Sequence, residues 1–366
     1  AAIEMVLGPH IGAFLRFCLI FLFIGLPGIV WSDDYDSYED KTPHKGSRSA
    51  IIKKTEGKAF VTPPKSTADI EELLDSQPPT DPKKIRADRI LSEREIPVGL
   101  SGAKISEFYF MRSQAAARLG RSSQEIRDLK LAQKIPSRFL RNIREDLAEV
   151  LVENGSFIEA VESLRSVRSD YQNRSNGFLF RSLSSDAALL ARAGLLNAAK
   201  QASEKALDLH IQLVNYRAYA NFQNLWECYR FQMLGLLNRQ RGLIKRSIQD
   251  FGRAFNFCRK LYETGYDASR GGAITEDAGS FRLERKYRRV VDLYVDTLVR
   301  AGRLVEAESV IRTAIKGSLA STGPNSILTT NHLLSLSNVL LAQGRLKDAE
   351  TIAGKIIGFH MAAGFS

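Results

Sequence analysis

Catalysis needs residues that accept protons, bind metals or attack bonds, and in this chain of 366 residues they are scattered. Of the five histidines, His10 and His44 lie near the start, while His210, His332 and His360 stand far apart. No His/Cys/Asp spacing suggests a zinc site. His332, one residue after Asn331 at the start of an expected helix, reads as a surface or capping residue. No serine sits in a Gly-x-Ser-x-Gly turn. Arg270-Gly271-Gly272 lacks the Gly-Lys-Ser or Gly-Lys-Thr of a phosphate-cradling loop, so it reads as a loop. The carboxylates are many, but no pair has a fold-level reason to meet across a cleft. The chain reads as a non-enzyme with no catalytic, cofactor or metal residues. The competing enzymatic reading would place a site in the Gly-, Asp- and Ser-rich stretch Gly265 to Ser280.

Charge is the other chemical resource. The net charge is +11, spread along expected helices and densest in FRLERKYRRV, Phe281 to Val290. On a helix Arg282, Arg285, Lys286 and Arg289 share one side. Such a face suits an acidic peptide or an anionic surface, or it is solvated and partly neutralised by Glu284 and Asp292.

The elements that carry these residues are helices, since no alternating strand run of useful length appears. In GPNSILTTNHLLSLSNVLLAQGRLKDAETIAGKII, Gly323 to Ile357, two amphipathic patterns flank Gln343-Gly344-Arg345. Gly344 supplies the left-handed exit from the first helix. The pattern recurs at Gly302, Gly242, Gly194, Gly155 and, weakly, Gly120. Five residues on lie Ala349, Ala307, Ser247, Ala199 and Ala160, all small, but Glu125 in the Gly120 unit. Four residues before lie Leu340, Leu298, Leu190 and Leu151, with Asn238 breaking the rule. Asp208 to Leu237, with Gly235 as a weak breaker, reads as one long helix or two nearly continuous ones.

This grammar resembles the tetratricopeptide repeat (TPR), from about Ser106 onward, and the last units resemble the kinesin-light-chain variety. The resemblance implies an all-α, right-handed α-solenoid whose first helices line a concave surface for an extended peptide or partner protein. Positions thirteen, ten, six and three before each glycine would face it. They include Tyr229 and Arg239, Arg289 and Asp292, and Asn331 and Asn338. The asparagines would read a peptide backbone and the arginines a carboxylate. In the hairpin around Gly242, Cys228 and Cys258 fall near adjoining helix ends; a disulfide and two buried thiols are both open readings.

The organisation expected is an export segment at 1–32, a flexible linker at 33–82 and the repeat domain at 83–366, interrupted at about 265–280. Phe17 to Trp31 is an apolar run of fifteen residues, short for a membrane span and broken by Pro27 and Gly28. Val30 and Ser32 suit cleavage after Ser32, giving a periplasmic or secreted chain; an uncleaved anchor at 17–31 is the alternative. A short helix around Ala68 to Leu74 is conceivable within the linker. Export makes nucleic acid a poor partner. The last hairpin shows an apolar outer face (Ile352, Ile356, Ile357, Phe359) without a polar cap, so self-association there or continuation of the array is expected. Long exported bacterial chains that this one resembles carry such repeats before a caspase-like CHAT peptidase domain. Any such activity would then lie beyond Ser366. The function expected is an exported scaffold for protein–protein interaction, alone or as the recognition region of a larger protein. The alternative is an envelope-surface adaptor using the basic face.

Overall fold

A computed structural model describes residues 63–64, 66–76, 82–171, 176–216, 219–264 and 276–363. The expected export segment, most of the linker before Ser66 and the loop around Arg270 lie outside the described residues. Among those described there are fourteen α-helices and no strand. Helices α1 (Ala68–Ser76) and α2 (Pro82–Glu93) precede the repeats. Three hairpins follow: α3 (Ala103–Arg118) with α4 (Ser122–Ala132), α5 (Leu140–Glu153) with α6 (Phe157–Tyr171), and α7 (Asn176–Arg192) with α8 (Leu196–Val214). The next three are α9 (Tyr219–Gln240) with α10 (Ile244–Thr264), α11 (Glu276–Arg300) with α12 (Leu304–Thr322), and α13 (Ile327–Ala342) with α14 (Leu346–Ala363).

One turn builds all six hairpins. Each central glycine has φ between 71° and 78°, a left-handed conformation that a β-carbon would strain. At Gly302 the glycine N–H donates to the Val299 carbonyl (2.9 Å) and the Arg303 N–H to the Leu298 carbonyl (2.9 Å). The pair closes the last turn of the first helix and sends the chain back along itself. The close crossing then needs a small residue, and Ala160, Ala199, Ser247 and Ala307 are fully buried there. The chain is a TPR-like α-solenoid. First helices of neighbouring hairpins meet on the inner side, α7 against α9 and α11 against α13.

Some elements decide between open readings, and others depart from the sequence reading. The stretch Asp208 to Leu237 is two helices, with α8 ending at Val214 and α9 beginning at Tyr219. Gly235 lies inside α9 and does not break it; a β-carbon there would come within 2.9 Å of the Phe251 ring, so its smallness lets α10 approach. The interruption after Gly265 is shorter than expected, because α11 already begins at Glu276. His332 is neither a surface residue nor a cap. Ser326 caps α13 by accepting from the Thr329 N–H (3.1 Å). His332 is buried edge-on to Tyr287, and burial pushes its imidazole down to about 3. Cys228 and Cys258 are joined as a disulfide, with α-carbons 5.2 Å apart, linking α9 to α10.

The end of the expected linker is packed rather than flexible. Ile70 and Leu74 of α1 are 0% and 3% exposed, in one apolar cluster with Ile311, Ile315 and Ile352. Arg312 donates to Asp69 and to the Ser66 carbonyl, and Lys355 pairs with Asp75. The apolar side of the last hairpin, read as uncapped, is thus partly covered by a segment from more than 200 residues upstream.

Candidate binding cavity on the inner face

The inner side is where the sequence placed its candidate contacts, and most of them are already engaged by the protein itself. Helix α11 lies opposite α5. Its Arg282 donates to Glu145 and Asp146 (both 2.8 Å), and its Arg289 pairs with Glu149 (3.0 Å) and Glu153 (3.2 Å). Arg288 also reaches Glu153. Arg285 reaches farther, to Glu125 on α4 at 2.8 Å. The basic face of Phe281 to Val290 is therefore neither solvated nor a free docking surface: Arg285 and Lys286 are each 8% exposed. A ladder of carboxylates spaced at helical intervals on α5, with Glu125 on α4, neutralises its arginines.

The other candidates follow suit. Arg239 pairs with Asp296 at 2.8 Å, and Asp292 accepts from the Ser335 hydroxyl at 3.0 Å. Tyr229 is half-buried beneath Lys286, whose ammonium nitrogen stands 3.5 Å from the ring centroid. Lys286 also donates to the Gln232 side chain. Asn331 is half-buried, at the edge of a second hollow between α13 and the α3–α4 turn. Only Asn338 is exposed, on α13 between Leu334 and Leu341, which are 51% and 50% exposed.

These pairs leave a cavity of about 130 Å³ between α5, α7, α9 and α11. Leu164, Ala188, Leu225 and Leu283 give it apolar walls, and Arg181, Arg192 and Lys286 give it positive charge. Burial lowers Lys286 to about 7. Burial, with Arg289 and Arg239 nearby, lowers Arg192 to about 10. The sequence missed Arg181 and Arg192. Both lie on α7, whose inner face offered no run of charge to draw attention.

A second cluster escaped the sequence reading. Glu227, buried, accepts from Tyr219 (2.5 Å) and Arg230 (2.8 Å), and its other contact is His210 at 3.0 Å. Burial pushes the Glu227 carboxyl up, but Arg230, His210 and Tyr219 outweigh it and hold it at about 2. The four groups tie the end of α8 to α9 without lining the cavity, which makes the cluster an anchor. Among the described residues no group of His, Cys, Asp or Glu could hold a metal ion.

The ladder makes stability depend on pH. Burial raises Glu153, but Arg285, Arg288 and Arg289 outweigh it and hold the carboxyl at about 2, below its ordinary 4.5. A depressed carboxyl adds stability above its unfolded pKa and loses it as pH falls through the folded one. The loss expected for Glu153 between pH 4.5 and 2 is roughly 3 kcal/mol. Asp146, pushed up by burial to about 6, acts in the opposite sense and loses its contribution as pH rises between 3.8 and 6. Urea titrations across pH on the parent and on Glu153→Gln check this. The variant should have a shallower acid limb, and parallel limbs would contradict the assignment.

No protein-family model matches the chain, and no curated protein matches it. Similar solved structures include TPR-like repeats of a putative kinesin light chain from Podospora anserina. They are 14% identical, cover 63% of this chain and 98% of their own, and have a TM-score of 0.41. BtubC (BKLC) from P. vanneervenii is also 14% identical, over 68% of this chain and 92% of its own, with a TM-score of 0.40. A tetratricopeptide repeat protein from Parabacteroides merdae is 18% identical over 70% of this chain and 93% of its own, with a TM-score of 0.29.

Proposed function

We propose that this chain is an exported, non-enzymatic scaffold that holds a segment of another protein along the inner face of its last hairpins. The observation that carries the reading is the contrast between α13 and the inner helices before it. On α9 and α11 the inner positions are consumed by Arg239–Asp296, Arg289–Glu149 and Asp292–Ser335. On α13 the same register presents Leu334, Asn338 and Leu341 to solvent. Apolar side chains flanking an amide suit an extended backbone, which Asn338 can both donate to and accept from. Export is supported by the apolar run at 17–31 and by the Cys228–Cys258 bond, which persists in oxidising compartments.

The test is photo-crosslinking in the producing cell, with the reactive side chain at Leu341 or, as a control, at Ile158, exposed on the outer helix α6. A discrete adduct with one defined protein, formed from 341, absent from 158 and lost on adding Asn338→Arg, is the expected result. Equal labelling from both sites, or an adduct indifferent to Asn338→Arg, would overturn the proposal.

A further inference from the structure

The cavity between α5, α7, α9 and α11 is a second site, with a chemistry unlike that of the α13 strip. Its charges do not balance. Of the five basic residues lining it, Arg282 and Arg289 are matched by Glu145 and Glu149, which line it too. Among the described residues no carboxylate lies within ion-pair distance of Arg181, Arg192 or Lys286. Arg181 stands over the rings of Phe178 (5.0 Å) and Tyr229 (5.9 Å), and Arg192 over Phe157 (5.7 Å), with Glu145 and Glu153 acting on them from beyond ion-pair distance. Two hydroxyls on the same helix, Ser182 and Ser184, are 4% and 1% exposed, line the cavity and have no hydrogen-bond partner. Buried donors left unpaired cost free energy, so such a cluster is the signature of a group that completes it.

Shape and polarity narrow that group. A cavity of about 150 Å³ admits benzene, so the 130 Å³ here holds a body of roughly five to nine non-hydrogen atoms. One wall is aliphatic, from Leu164, Ala188, Leu225 and Leu283, and the cations and hydroxyls converge from α7 and α11. The Arg282–Glu145 and Arg289–Glu149 pairs bridge α11 to α5 beside it, so a small molecule fits where a through-running chain would have to break them.

We infer that this cavity binds a small organic anion with an apolar body, a carboxylate or a phosphate monoester, whose charged head meets Arg181, Arg192 and Lys286. The serine hydroxyls donate to the same head, and the aliphatic wall takes the remainder. The site is independent of the α13 strip, because Leu334, Asn338 and Leu341 do not line it.

Calorimetric titration of the full chain tests this. The probes are hexanoate, benzoate and butyl phosphate, with hexylammonium and inorganic phosphate as controls. One of the three amphiphilic anions should bind with one site per chain, hexylammonium should not, and inorganic phosphate should bind more weakly. Hexanoate against butyl phosphate separates the two head groups on alkyl bodies of similar length. Arg181→Gln and Arg192→Gln should each weaken binding by about tenfold or more, with partial recovery in Arg192→Lys. Neither arginine is ion-paired, so these variants should keep the parent's circular dichroism. Ala188→Leu, which fills the apolar wall, should abolish binding without altering charge. Absence of heat for every anion at millimolar concentration would overturn the inference. So would affinity indifferent to Arg192→Gln and Ala188→Leu, or binding of an acidic peptide with none of the small anions.

Discussion

Replacing Arg285 with alanine is expected to cost about 3–5 kcal/mol, because its ionic partners, Glu125 and Glu153, lie on other hairpins. Its guanidinium meets Glu125 at 2.8 Å, with side chains only 8% and 5% exposed, and it lies 3.9 Å from Glu153. Burial pushes the Glu125 carboxyl up even with Arg285 beside it, so removing the cation leaves that carboxylate stranded or forces it to take a proton. The pair is not the most stable filling of the space. Truncating Glu125 to alanine would restore the residue that other hairpins carry at this crossing, and pairing that change with Arg285→Met should recover much of the loss. Urea unfolding followed by hydrogen exchange on α4 and α11 gives the measurement. A loss under about 1 kcal/mol for Arg285→Ala, or a double variant no better than the single, would show that the pair contributes little.

That pair also marks where the sequence stops being readable. The hairpins were legible because each has a glycine in the left-handed turn, and most have, within some thirty residues, a leucine four before it and a small residue five after. Gly302, Leu298 and Ala307 occupy these roles, with Leu298 and Ala307 fully buried. Glu125 looked like a flaw in the weakest unit. It is the anchor of the inner face, but its partner lies 160 residues away, and local periodicity carries no information about that distance. The basic run at 281–290 misled for the same reason. Its own helix shows Arg282, Arg285 and Arg289 on one side, while Glu145, Glu149 and Glu153, at intervals of four on α5, are the complementary ladder. Each half reads as an ordinary amphipathic helix until curvature brings them together. Arg181 and Arg192 were missed because only the enclosing helices make a cavity beside them. Register assigns Tyr229, Arg239, Arg289 and Asp292 to the inner side, yet register cannot say whether a side chain waits for a partner or already has one.

The second large effect concerns α1. Truncating both Ile70 and Leu74 to alanine is expected to cost about 4 kcal/mol or more, since each buried aliphatic truncation typically costs 2–5. Both side chains are essentially buried against the cluster that holds Ile311, Ile315 and Ile352. The Asp69–Arg312 and Asp75–Lys355 pairs orient the helix, but Asp69 and Asp75 side chains are 37% and 64% exposed, so apolar burial supplies most of the docking energy. Undocking limits the loss: once α1 releases, the variant spends no more than the free energy that held it. The protein should then show two changes together. Hydrogen exchange should accelerate in α1, α12 and α14 but not in α3 to α8, because a solenoid transmits stability mainly between neighbours. The apolar side near Ile356 and Phe359 should also become available for self-association, seen as a solution mass that rises with concentration. A double variant with parent-like exchange in α12 and α14 would show that α1 rests on the array without stabilising it. Accelerated exchange with unchanged mass would show that the uncovered side does not seek a second copy.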